Sequence, residues 1–152
     1  MKTALSIVGI VFLVLLVLAA GFIGFVAYEG NKFDASSKAY VDESVPAIVG
    51  NWSKDELVKR ESPQLRKVVS DDELASLFTK LSDALGPIQS YDGAKGDANM
   101  NVTPVSGFQV TASYVAEATF QNGKGEIKIN LIQVDGEWLI LGFHVNSPTL
   151  LK

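Results

Sequence analysis

The chain contains no cysteine. That absence excludes disulfides, thiolate metal sites, cysteine nucleophiles and a lipid-acceptor cysteine, and it leaves the redox compartment undetermined. Histidine is nearly absent too: His144 has no second histidine to share a metal ion or a proton relay. Basic residues form no cluster, and 13 of them against 17 acidic ones give a net charge of −4, which argues against nucleic acid and against a polybasic lipid-binding surface. Acidity of this size mainly favours solubility.

Long apolar runs are present only once. Residues 4–27 are apolar apart from Ser6, and at about 1.5 Å per residue such a helix covers roughly 36 Å, enough to cross a bilayer core of ~30 Å with some tilt. A cleaved signal peptide is the competing reading, but Phe22, Ile23, Phe25 and Val26 carry the run past Ala19-Ala20, where cleavage would fall. A retained anchor is therefore expected over residues 1–28. Lys2 precedes the span and Glu29, Lys32 and Asp34 follow it, so the positive-inside tendency sends the remainder across the membrane. The expected location is a bacterial inner membrane, crossed once, with the C-terminal domain in the periplasm and lipid contacted through the N-terminal helix. Ala20 and Gly24 make a small-xxx-small pair, a spacing common in spans by chance.

Residues 29–38 read as a short polar connector and residues 39–152 as one domain. Val41, Val45, Ile48, Val49 and Trp52 recur at helical spacing, with Pro46 expected to kink or restart the helix. Ser53 to Glu56 has the form of a capping box and opens a short helix ending near Ser62-Pro63. Ser70 to Glu73 is a second capping box. It opens a helix with the stripe Leu74, Leu77, Phe78, Leu81 and Leu85, stopped by Gly86-Pro87. Residues 88–92 and 99–102 predict two short strands around a turn at residues 93–96.

Residues 107–120 alternate strictly: Phe108, Val110, Ala112, Tyr114, Ala116, Ala118 and Phe120 on one side, mostly polar residues on the other. Such alternation specifies a strand with one dry face. Asn122-Gly123 and Asp135-Gly136 supply two hairpin turns. Counting outward from the first pairs Phe120 with Gly125, Ala118 with Ile127, Ala116 with Ile129 and Tyr114 with Leu131. From the second, Leu131 pairs with Ile140, Ile129 with Gly142 and Ile127 with His144. Both turns put the apolar residues on the same face, and Glu117 meets Lys128 on the other. In this register Leu139, Leu141, Phe143, Val145, Ile132, Val134 and Val115 gather on the face that should be wet.

Helices followed by an antiparallel meander make an α+β fold, the helices packed on a curled sheet. The apolar helices, the Ser62-Pro63 break, the helix ending at Leu85-Gly86-Pro87 and the final hairpin Asp-Gly-x-Trp-x-Ile-x-Gly-Phe-x-Val (residues 135–145) resemble membrane-tethered or exported bacterial proteins of the cystatin-like cone superfamily. That superfamily includes nuclear transport factor 2 and ketosteroid isomerase. The resemblance covers about three-quarters of the chain, residues 39–147. It implies a cone-shaped domain and, since members often dimerise through the sheet, favours self-association. Its isomerases place an acidic base and a tyrosine in the cone, whereas here Glu117, Glu126 and Glu137 all alternate outward.

Site chemistry is sparse. Tyr114, Trp138 and His144 are the polar-tipped groups expected around a ligand cavity on the dry face. Asp71, Asp72 and Glu73 fall in a first helical turn, where carboxylates complement the helix dipole rather than bind metal. Asn51-Trp52-Ser53 matches a glycosylation acceptor, and residues 93–96 lack the rest of a phosphate loop. No catalytic residue, cofactor or metal is expected. The leading expectation is a membrane-anchored, non-enzymatic interaction module that binds a second protein or copy of itself through Leu139, Leu141, Phe143, Val145, Ile132, Val134 and Val115, in an accessory or assembly role. The alternative is a small-ligand-binding or enzymatic cone using the cavity near His144 and Tyr114.

Overall fold

The structure is a computed structural model describing residues 2–151, with side chains described for residues 13–25 and 28–151. The Lys2 side chain, on which the orientation argument rests, lies outside the described residues, as do those of residues 4–12. Two compact units are present, Met1–Phe33 and Asp34–Lys152. Helix α1 (Lys2–Val49) begins in the first unit. Within it Leu13 to Leu18, Phe22, Ile23 and Phe25 are exposed, and the helix is long and apolar enough to cross a membrane. Residues 29–38, the short polar connector, are helical and part of α1. Pro46 leaves α1 unbroken.

The second unit is α+β. After α1 come α2 (Lys54–Val58), α3 (Pro63–Val68), α4 (Asp71–Leu85), and the strands β1 (Ile88–Thr103), β2 (Gly107–Phe120), β3 (Gly123–Val134) and β4 (Glu137–Asn146), closed by a 3-10 turn, Pro148–Leu151. The sheet is an antiparallel meander in the order β1-β2-β3-β4. Each short helix is fixed at its start by a serine. Ser53 accepts from Glu56 N, Ser62 from Leu65 N, and Ser70 and Glu73 form a reciprocal capping box. Ser62-Pro63 opens α3, with proline in the first turn, rather than merely ending the helix before it.

Val41, Val45, Ile48 and Val49 of α1 are fully buried with Leu57, Phe78, Leu81 and Leu85 against the sheet residues Tyr114, Ala116, Ala118, Phe120, Ile127, Ile129, Leu131 and Ile140. Trp52 adopts a left-handed backbone (φ 52°), stacks on Phe120 at 5.2 Å, meets Phe78 edge-on at 6.2 Å and donates its indole N–H to Gly86 O. The free edge of β4 is covered at Ile140. Ile140 N donates to Arg60 O and Ser62 N to Ile140 O, so the link between α2 and α3 uses backbone groups that an open edge would expose.

Three expectations from the sequence are corrected. First, β1 is one strand of 16 residues; residues 93–96 are no turn. Gly93 takes φ 90° at a register shift between Tyr91 and Ala94, and Gly96 lets β2 approach so closely that a Cβ there would lie 1.9 Å from Ser113 O. Second, the β2–β3 turn is Gln121-Asn122, pairing Phe120 with Gly123, Ala118 with Gly125, Ala116 with Ile127 and Tyr114 with Ile129. The end of α4 explains the shift: Gln121 N donates to Pro87 O, and Asn122 donates from its backbone to Leu85 O and from its side chain to Ala84 O. Because partners move by two residues the faces are preserved, but Glu117 now lies opposite Glu126, and Lys128 opposite Val115.

Third, β4 slips by one residue at Leu141. Leu131 pairs with Ile140 as expected, then Asn130 pairs with Gly142, Ile129 with Phe143, Lys128 with His144 and Ile127 with Val145. The extra residue turns Phe143 and Val145 to the helix-covered face and His144 to the outer face. Phe143 stacks on Phe78 at 6.4 Å between centroids. Phe143 and Val145 are half-buried on the helix-covered face, and His144 is left exposed.

Candidate functional site

The face expected to hold a cavity is occupied by the chain's own helix. Tyr114 is 1% exposed, its hydroxyl 2.9 Å from Ser37 Oγ, and it also donates to Asp34 O at 3.1 Å. Burial raises the Tyr114 phenol, the Ser37 contact partly offsetting it. Trp138 donates its indole N–H to Ser36 Oγ at 3.0 Å. Farther along α1, Asp42 accepts from Tyr91 Oη at 2.7 Å and from Lys38, and burial with this carboxylate contact lifts the Tyr91 phenol far above its usual range. Asp34 accepts from Ala98 N at 2.6 Å. Hydroxyls, carboxylates and an indole thus join helix to sheet, satisfying one another.

The three residues expected around a ligand do not converge. Tyr114 and Trp138 face α1, whereas His144 sits opposite Lys128 on the other side of the sheet. His144 does line a different feature, an apolar groove of about 490 Å³ between α4 and β4, with Leu77, Leu81, Phe143, Val145 and Leu150 as walls and Lys80 at its side. The sequence concealed this groove, because it depends on the slip at Leu141.

On the outer face, Ile132 is buried and Val115, Val134, Leu139 and Leu141 are half-buried. Ile132 pairs with Leu139, and Val134 with Glu137. The expected patch of seven apolar residues therefore contracts to five, without Phe143 and Val145. Ser113 donates to Asn130 at 2.8 Å beside it. Asp71, Asp72 and Glu73 occupy the first turn of α4, with Glu73 bonded to the Ser70 backbone and hydroxyl, which holds its carboxyl below the usual range. Among the described residues no group of three or more His, Cys, Asp or Glu side chains is arranged to hold a metal ion. Asn51 is exposed, and the Trp52 beside it is a core residue.

No family model, curated protein or solved structure matches this chain.

Proposed function

We propose that the chain is a membrane-anchored, non-enzymatic module that presents a compact α+β domain outside the cytoplasmic membrane to a protein partner. The supporting observation is the closure of the sheet's helix-facing side: Tyr114, Trp138 and Tyr91 are all bonded to α1, so the place where a cystatin-like cone would hold a ligand is filled by the chain itself. The outer face, where Val115, Val134, Leu139 and Leu141 are half-buried around the buried Ile132, is the surface assigned to the partner. An accessory or assembly role is the reading we attach to an anchored domain of this kind. The test is affinity purification of the full-length chain from solubilised membranes, comparing wild type with Leu139→Ser/Leu141→Ser. A stoichiometric partner retained by wild type and lost from the folded variant supports the proposal; equal retention refutes the outer face as the site.

One observation favours a second reading. The groove between α4 and β4 combines apolar walls with Lys80 and has the volume of a small-molecule site. In that reading the domain binds a small amphiphilic anion there, and octanoate-induced shifts of the Phe143 ring signals test it.

A further inference from the structure

The β1–β2 hairpin is longer than the sheet it belongs to. Pairing of β2 with β3 starts at Thr111–Ile132, whereas β1 and β2 remain paired to Thr103–Gly107. Beyond Thr111 the ribbon is therefore two-stranded, and residues 101–108 are all exposed. Its tip is apolar: Val105 is 97% exposed, Val102 76% and Phe108 63%, with Pro104 between them. No charged residue occurs between Asp97 and Glu117. A soluble hairpin tip is normally polar, so three large apolar groups displayed on an uncharged ribbon need a nonaqueous neighbour.

The direction of the ribbon identifies that neighbour. β1 runs opposite to the adjoining part of α1, since Tyr91 bonds Asp42 and Ala98 bonds Asp34. Asp34 is where the chain enters this unit. Strand residues beyond Ala98 therefore extend past the end of the domain to which the tether is attached. From Ala98 to Thr103 the strand advances about 17 Å. Within this unit, the hairpin tip and the point of chain entry at Asp34 lie toward the same end.

We propose that the tip formed by Val102, Pro104, Val105 and Phe108 inserts into the surface of the bilayer in which the chain is anchored, giving the domain a second membrane contact. This inference rests on the anchor reading of residues 4–27. Neutral lipid suffices as the partner, because the ribbon brings no charge and its affinity comes from apolar burial at the interface. A single anchor leaves the domain free to tilt, while two contacts fix which face it turns to the periplasm.

The absence of native cysteine allows single-site labelling of the full chain. Val105→Cys, Asp83→Cys and Ala19→Cys, each carrying a polarity-sensitive fluorophore, are reconstituted in phosphatidylcholine vesicles with and without nitroxide-labelled acyl chains. The inference expects blue-shifted emission and strong lipid quenching at 105, water-like emission without quenching at 83, and quenching at 19. It also expects Phe108→Asp to abolish quenching at 105 and leave it intact at 19. Water-like emission at 105 with quenching at 19 overturns the insertion while leaving the anchor standing. Loss of quenching at 19 overturns the anchor and the inference with it. A blue shift at 105 that grows with protein density but is insensitive to lipid nitroxides assigns the tip to a second copy and overturns the lipid contact.

Discussion

Ser37 Oγ and Tyr114 Oη, 77 positions apart in the chain, lie 2.9 Å from each other in the interior. This contact joins the helix leaving the tether to the second strand of the sheet. Replacing Tyr114 with Phe removes the hydroxyl while Ser37 keeps its bond to Asp34 O, so the expected cost is about 1 kcal/mol. Tyr114→Ala empties a fully buried aromatic position and is expected to cost about 3–5 kcal/mol. Urea unfolding of the two variants measures both. A Tyr114→Ala domain as stable as wild type contradicts the closed face.

Phe143 and Leu141 separate the two possible faces of β4. Phe143 stacks on Phe78, so Phe143→Ser is expected to destabilise the domain by about 2–3 kcal/mol, less than a fully buried aromatic because Phe143 is half-buried. Leu141→Ser, at the extra residue of the slip, should cost about 1 kcal/mol or less and act on partner binding instead. Thermal melts of the two single variants distinguish these outcomes; equal stability contradicts the slip.

The same residues show what was legible in the sequence. The meander, the dry face of β2 and β3, the Leu131–Ile140 pair and the capped helix α4 follow from alternation, turn residues and capping boxes, all local signals. The register errors have nonlocal causes. The first turn was displaced because the end of α4 binds Gln121 and Asn122, and β4 slipped because Phe78 offers a stacking partner to Phe143. Strict alternation carries no information about either. The candidate site suffered most, since a one-residue slip exchanges faces and sent His144 to one side and Phe143 and Val145 to the other.

Gly96 is expected to reject any side chain. A Cβ there would overlap Ser113 O and Tyr114 Cα, both backbone atoms that move only if β1 separates from β2. Gly96→Ala should therefore cost about 3 kcal/mol. Gly93, at φ 90° but with open space around it, should tolerate the change better in packing and lose mainly through backbone strain. Denaturation midpoints of the two alanine variants compare them directly.

Alkaline stability follows from the tyrosines. Tyr40, Tyr91 and Tyr114 are each raised above the usual phenol range, burial being the largest cause, joined at Tyr91 by Asp42. Below about pH 10 these phenols are protonated in both folded and unfolded chains, so their contribution is fully present. As pH rises above that value the unfolded chain releases protons that the folded one retains, and stability falls. Phenolate absorbance and circular dichroism recorded together should show Tyr91 ionising only as structure is lost. Titration of Tyr91 and Tyr114 while the domain stays folded contradicts the hydrogen-bonded face.

The proposal that the outer sheet face binds a protein is tested most directly by site-specific photocrosslinking from Leu139 in intact cells. The account predicts one protein adduct of defined mass, a second copy or a different chain, that disappears when Leu141 is changed to Ser. A crosslinker at Lys59, exposed on α2's C-terminal side, should give none. A folded, membrane-localised chain that yields no protein adduct from Leu139 would contradict the account.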